Sequence, residues 1–288
     1  MTRPHSADVI RMPKRKHARK ASQRGPETTD RQRLYELSVQ SPEEHIRWFD
    51  EFYTAHNGHP ARSLKEDFCG TALLSAHWVR ERPDNTAIGV DLDLETLDWA
   101  REHNVAPLNN DEQSRITLLQ ANVLDVTEPS VDIVAALNFS YFGFTTRDAL
   151  RTYFERARAS LVPGGLFVCD MFGGWEAQME EIERTRYDGF TYVWEQKYFD
   201  PVSNETEFRI HFKFHGGGGI KDAFVYNWRL WSLPEVTELL HEAGFKTVEI
   251  QWEGIDDDTG EGSGEYSLVT KAESAPGWIA FLVATPED

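Results

Sequence analysis

Cysteine is scarce: the chain has two in 288 residues, Cys69 and Cys169, far apart. That spacing forms neither a disulfide framework nor a thiolate metal cluster, so no metal is expected and a reduced, cytoplasmic setting is. No apolar run approaches the ~18 residues of a membrane-spanning helix, and a membrane partner is excluded. No apolar stretch follows the first basic residues, so no secretory signal is expected. There is no internal repeat. Basic residues are outnumbered, 30 Lys and Arg against 48 Asp and Glu. The deficit is uneven. Residues 1–25 hold eight Lys and Arg against Asp8 alone, leaving 22 bases and 47 acids, a net −25, for the rest. An acidic body repels phosphates over most of its surface, which excludes a broad nucleic-acid groove. Nucleic acid can be met only through the basic tail, 1–32, whose composition predicts a disordered arm.

What is present is enough for a large core, with 40% hydrophobic residues and 9 Trp. Ser41-Pro42-Glu43-Glu44 reads as a capping box opening a helix that carries Ile46, Trp48, Phe49, Phe52 and Tyr53. Strands then alternate with helical patterns: 64–68, 86–90, 115–120, 131–137 and 166–171 read as strands. The helix opened by Thr145 has Leu150, Tyr153, Phe154, Ala157 and Leu161 on one face. This predicts an α/β fold with a doubly wound, seven-stranded Rossmann-like sheet, five strands parallel and a late antiparallel pair. The cofactor-binding core is expected over 33–171 and again over 232–288, with Ser232-Leu233-Pro234-Glu235 capping a late helix.

Residues 172–231 break the pattern and hold 15 of the 35 aromatics. Phe208, Ile210, Phe212 and Phe214 alternate with Arg209, His211, Lys213 and His215, a half-exposed strand. With 190–198 and 223–231 it predicts an antiparallel insertion after strand five, capping the substrate. No carboxylate is spaced in sequence to join those histidines in a metal site. Residues 254–264 read as an acidic, mobile loop.

In a parallel sheet the ligand crevice lies beyond the carboxyl ends of the strands. Glu66 to Gly70, Asp91, Asn122, Asn138 and Asp170 all fall there. A glycine lets the backbone approach a ligand, and the free N–H groups of the following helix favour an anionic group. Asp91, 21 residues past Gly70, is placed to accept hydrogen bonds from two ribose hydroxyls. A dinucleotide loop wants three glycines; Phe68 and Leu73 occupy two of those positions, which argues for a carboxylate rather than a pyrophosphate.

The stretches "LKEDFCGTA" (64–72), "IGVDLDLETLDWAR" (88–101), "LLQANVLDV" (118–126), "VDIVAALNFSYF" (131–142), "LVPGGLFVCDMF" (161–172) and "WRLWSLPEVTELLHEAGF" (228–245) resemble the class I S-adenosylmethionine-dependent methyltransferases. The resemblance covers residues 33 to 285. It implies S-adenosyl-L-methionine as cofactor, with Glu66, Phe68, Cys69 and Gly70 along its methionine part, Asp91 and Leu92 at the ribose, and Asn122 and Val123 at the adenine. Asn138 to Tyr141 would face the reacting methyl and Tyr35 would close over the cofactor. Asp170, read from its strand-end position alone, either orients or deprotonates a substrate amine or, the favoured reading, caps a turn. The family usually has glycine where Phe68 and Ala72 stand. The reading is methyl transfer to an unidentified small molecule. A nicotinamide-dependent oxidoreductase and a non-catalytic cofactor-binding or RNA-associated protein are the alternatives.

Overall fold

Asp30 accepts hydrogen bonds from the N–H groups of Gln32 and Arg33 and so caps helix α1 (Arg31–Val39). The computed structural model describes residues 30–256 and 262–286. The tail expected over 1–32 therefore lies outside the described residues, except for this cap and the first two positions of α1. Helix α2 (Pro42–Asn57) has Pro42 at its first turn and ends at Gly58, left-handed at φ 75°; Ser41 makes no side-chain capping bond there, contrary to expectation.

The α/β alternation then follows. Strand β1 (Ser63–Asp67) leads into α3 (Leu73–Glu81), β2 (Thr86–Asp91) into α4 (Leu94–Ala100). Asp93 caps α4 through the N–H groups of Glu95 and Thr96. A five-residue π-turn, Arg101–Val105, extends α4 before the short α5 (Asn110–Ser114) and β3 (Ile116–Gln120). Then come β4 (Val131–Ala136), α6 (Arg147–Ala159), capped by Thr146 rather than Thr145, and β5 (Leu161–Gly173). After the insertion, α7 (Leu233–Glu242) opens with the expected Ser232–Glu235 capping box.

The main sheet has the order β3-β2-β1-β4-β5-β12-β10-β11, where β10 is Phe245–Ile255, β11 Gly262–Val269 and β12 Trp278–Pro286. The first five strands pair parallel; β12 runs antiparallel to both β5 and β10. The doubly wound α/β fold is as predicted, but the sheet has eight strands, not seven. β11 is added at the edge by antiparallel pairing to β10. Part of the segment read as an acidic loop, 262–264, belongs to it; residues 257–261 lie outside the described residues. Helices cover both faces, burying Phe49, Trp78, Phe154, Leu239 and the fully enclosed β4 and β12 side chains.

The insertion is a four-stranded antiparallel sheet, β6 (Glu181–Arg186), β7 (Phe190–Phe199), β8 (Glu205–Phe214) and β9 (Gly219–Arg229), in chain order. Three of these strands are legible in the sequence; β6 is not, because its inward residues are charged. Register pairs Trp194 with Ile210, Tyr192 with Phe212, Phe208 with Tyr226 and Thr206 with Trp228, so these residues share one face. That face lies on the main domain: Phe208 meets Phe172 at 5.7 Å and Trp228 meets Phe142 at 6.0 Å. Among the described residues no helix is long and apolar enough to cross a membrane.

Candidate active site

Parallel register sets the carboxyl ends of the central strands in one row. Asp67 stands beside Val90 and Ala136, Asp91 beside Gln120, and Ala136 beside Cys169. The segments leaving those ends therefore converge: 68–72 from β1, 91–93 from β2, 121–123 from β3, 137–139 from β4 and Asp170 on β5.

The loop after β1 follows a glycine path without the glycines. Phe68, Gly70 and Ala72 are all left-handed, at φ 57°, 51° and 50°. For Phe68 and Ala72 that conformation costs about 1–2 kcal/mol each. The cost is offset by packing. Phe68 packs against Tyr153 (5.5 Å) and Phe144 (6.2 Å), while the Tyr153 hydroxyl donates to the buried Asp67 at 3.0 Å. Asp67 is paired in turn with buried Lys65 at 2.8 Å. Ala72 and Cys69 join Leu97 and Ala100 inside. Only Gly70 faces open space, with nothing within 4 Å of where a Cβ would stand. Its N–H donates to Asp91 Oδ2 at 2.8 Å, and Asp91 Oδ1 accepts from the Asp93 N–H at 2.9 Å.

This arrangement fits an adenosine-bearing cofactor. Each Asp91 oxygen retains a second lone pair for a hydroxyl donor. Beside it Leu92 is 67% exposed, an apolar surface at a strand end that an adenine ring would cover. Asn122 Oδ1 accepts from the Leu124 N–H at 3.0 Å, which fixes the turn after β3.

Several expected contacts are not made by side chains. Glu66 is buried and accepts from Ser75 N (3.0 Å) and Ser75 Oγ (2.5 Å) at the start of α3. Burial pushes its carboxyl up to about 7, against the lowering effect of Ser75. It shapes the loop from below. Cys69 is buried, and burial, then the charges of Glu66, Asp91 and Asp67, raise its thiol well above its ordinary range, as for a packing residue. Val123 is 4% exposed and packs in the core with Val90, so its side chain does not line the crevice.

The methyl side needs larger corrections. Asn138 and Phe139 are both left-handed, at φ 56° and 61°. Asp170 holds them: its Oδ2 accepts from the Asn138 N–H at 3.0 Å and its Oδ1 from the Phe139 N–H at 2.9 Å. Asp170 is fully buried with both oxygens engaged by these backbone N–H groups, so its carboxylate fixes the turn rather than standing exposed at the crevice. Tyr141 is also fully buried, not at the methyl side. The left-handed pair leads into a 3-10 turn, Ser140–Gly143, that drives the Tyr141 ring into the core against Phe142 and Phe154. Burial raises its hydroxyl well above the ordinary range, with Cys169 and Asp170 next in effect. Asn138 and Phe139 are what remain at the crevice, and Phe139 meets Phe172 at 4.7 Å and Trp228 at 6.4 Å.

Helix α1 bonds to α4 through Gln32 and Thr96 and to the antiparallel sheet through Arg31 and the Ala223 carbonyl. The Tyr35 ring packs on Phe224 at 5.0 Å, in the antiparallel sheet. The loop is reached by neighbouring polar residues that sequence reasoning missed. Asn104 Nδ2 donates to Glu36 Oε1 (2.7 Å) and to the Thr71 carbonyl (2.8 Å), and Thr71 Oγ1 donates to Gln40 Oε1 (3.2 Å). The π-turn that swings Asn104 into place has no sequence signature.

The row Arg209, His211, Lys213 lies on the opposite face of β8 from the aromatics. Arg209 pairs with Glu207 (2.6 Å) and Asp222 (3.0 Å); His211 Nε2 pairs with Glu195 (3.0 Å), and His211 Nδ1 accepts the Asp222 N–H (2.8 Å). Neighbouring strands thus bring the carboxylates that the spacing lacked, with Glu195, His211 and Asp222 offering ligand atoms within 4.8 Å of one another. Arg209 already neutralises Asp222 and a backbone N–H occupies His211 Nδ1, so the group is an ion network.

Residues 68–165 match the family model described as a methyltransferase domain. No curated protein matches the chain. Among solved structures, an S-adenosylmethionine-dependent methyltransferase from Clostridium acetobutylicum is similar at TM-score 0.62 and 16% identity, over 88% of this chain and 97% of that one. DesVI from Streptomyces venezuelae has TM-score 0.62 and 18% identity, over 88% and 96%. A sugar N-methyltransferase, KedS8, from a Streptoalloteichus species has TM-score 0.60 and 17% identity, over 99% and 100%. Residues 68–165 thus match a methyltransferase domain, and over most of its length the chain shares the fold of these S-adenosylmethionine-dependent methyltransferases.

Proposed function

We propose that the protein transfers a methyl group from S-adenosylmethionine to an amine nitrogen of a small molecule bound beneath the antiparallel sheet. The observation that carries this is the lid: the aromatic face of β7–β9 lies over Phe139 and Phe172 at the carboxyl ends of β4 and β5. A roofed site of that kind suits a small acceptor better than a duplex, which needs an open, basic surface. Amine chemistry is supported by what the site lacks among its candidates. Asp170, Glu66 and Tyr141 are all engaged or buried, leaving no strong base, and an amine attacks without one once it is unprotonated. Similar solved structures are titled a sugar N-methyltransferase, an amino pentose methyltransferase and a glycopeptide N-methyltransferase.

In this reading Asp91 takes the ribose hydroxyls, Gly70 the methionine end, and Leu92 with the Asn122–Val123 backbone the adenine. Asn138 and Phe139 border the methyl, and α1 covers the cofactor. When bound, the sulfonium supplies an already activated methyl: the amine lone pair forms the N–C bond as the S–C bond breaks, its electrons staying on sulfur. The ammonium proton then passes to water. The protein aligns the nitrogen and excludes water during transfer. Radiolabelled S-adenosylmethionine offered with amine, hydroxyl and thiol small molecules, peptides and RNA tests this. Label appearing on structured RNA, or only on oxygen or sulfur acceptors, rejects it.

A further inference from the structure

The carbonyl of Thr71 has no donor in its own helix. Thr71 is buried between left-handed Gly70 and Ala72, and Ala72 is the cap of α3. The N–H one turn on, at Ser75, donates instead to Glu66 Oε2 at 3.0 Å. A buried carbonyl without a donor is costly, and the first turn of a helix supplies none to the residue before its cap. Asn104 Nδ2 fills that role, at 2.8 Å. The Thr71 hydroxyl is held separately, by donating to Gln40 Oε1 at 3.2 Å.

Asn104 reaches Thr71 from the π-turn after α4. There the Ala106 N–H bonds the Arg101 carbonyl, five residues back, at 2.8 Å. Such an extra residue shifts the side chains around the helix axis, and π-turns recur at functional sites. Asn104 ends buried. The orientation of its amide is set from the other side, because Nδ2 also donates to Glu36 Oε1 at 2.7 Å. Both amide hydrogens are thereby used, and a flipped amide would turn its oxygen toward the carboxylate. Glu36 is itself buried, its second oxygen meeting Arg33 at 2.9 Å.

The apolar side chains of α1 are engaged elsewhere: Leu34 packs with Phe190, Ile210 and Phe212, and Tyr35 on Phe224. Toward the cofactor loop α1 therefore docks through hydrogen bonds, Glu36 to Asn104 and Gln40 to Thr71. We infer that Asn104 is a positioning residue for cofactor binding: its amide fixes the Thr71 carbonyl, and with it the left-handed path of 68–72, while Glu36 fixes the amide. This rests on the reading that the loop carries the methionine end of the cofactor. Strained conformations such as those of Phe68 and Ala72 persist only where their surroundings over-determine them. The Gly70 bond to Asp91 holds the middle of the loop, and the Asn104 bond holds its far end. Were Asn104 a packing residue alone, losses of affinity would follow losses of stability. A positioning residue separates the two.

The test uses full-length protein, with the Kd for S-adenosylhomocysteine from calorimetry and the urea midpoint measured on each variant. Asn104→Asp keeps the shape but removes both donors, and it should weaken binding about tenfold or more and lower the midpoint. Asn104→Asp combined with Glu36→Gln reverses the hydrogen bond between the two positions, since the new amide donates to the new carboxylate. The midpoint should then return toward wild type while binding stays about tenfold or more weaker, because nothing donates to the Thr71 carbonyl. Should Asn104→Asp alone fail to fold, the combined variant against wild type gives the same reading. A wild-type Kd in either variant, or a Kd that recovers in step with the midpoint, overturns the inference. Wild-type protein that does not bind S-adenosylhomocysteine overturns the cofactor reading, and the inference with it.

Discussion

The Gly70 N–H donates to Asp91 Oδ2 at 2.8 Å, joining the loop after β1 to the end of β2. The same carboxylate sets the loop and, in the proposed reading, takes the ribose hydroxyls. Asp91→Ala should weaken S-adenosylhomocysteine binding by about 2–3 kcal/mol, roughly 30- to 150-fold in Kd. Calorimetry on folded protein checks it. An unchanged Kd removes Asp91 from the site.

Glu66 gives the fold a pH dependence of definite sign. Its folded value, about 7, lies above the ordinary 4.5, so the native state holds the extra proton. Its stabilising contribution is complete below pH ~4.5, falls as pH rises to about 7 and is flat above, a loss on the order of 3 kcal/mol. Glu66→Gln should lack this slope. The difference in urea midpoint between wild type and variant, measured from pH 4.5 to 8, should move in favour of the variant as pH rises.

Ala72 sits at φ 50° with its methyl buried. Ala72→Gly relieves about 1 kcal/mol of strain but loses a similar amount in burial and chain entropy, so stability should stay within ~1 kcal/mol. Ala72→Val places a β-branched residue in the left-handed region and should cost more than ~2 kcal/mol. Chemical denaturation distinguishes the two. Equal losses would mean that the methyl's packing, not backbone conformation, governs the position.

Asp170→Asn keeps the shape but turns an amide toward one of two buried backbone N–H donors. A cost of about 2–3 kcal/mol in stability is expected. Because the Asn138–Phe139 pair loses its anchor, methyl transfer should fall by far more than S-adenosylhomocysteine affinity. Parallel losses in both would place Asp170 in general folding rather than in positioning the methyl side.

Replacing Arg209, His211 and Lys213 together by Ala should leave methyl transfer within about twofold, since the three lie on the face opposite the aromatic roof, where Arg209 and His211 are held in an ion network. A modest drop in melting temperature is expected. Turnover lost without loss of fold would put an acceptor on that outer face.

Much of the molecule was legible in order along the chain. Period-2 and period-3.6 patterns located the parallel strands, the helices between them and three of the four inserted strands. A strand-end acid 21 residues past a lone glycine was also legible, and the fold brings the two into hydrogen-bond contact. Tertiary structure decided the rest. β6 and β11 carry little apolar alternation and form because a neighbouring strand offers its edge. Phe68 and Ala72 adopt glycine conformations because surrounding rings and helices repay the strain, which no propensity reveals. The strand-end position of Asp170 left a substrate role and a turn-capping role both open, and two backbone N–H groups engage its carboxylate as the second requires. Resemblance set Tyr141 toward the methyl, and the turn after Phe139 buries it instead, since a side chain's surroundings depend on which neighbours satisfy it. The face that each inserted strand turns to the crevice is a matter of registry between distant segments, and only the folded chain brings Trp228, Trp194 and Glu183 into one row above Phe139.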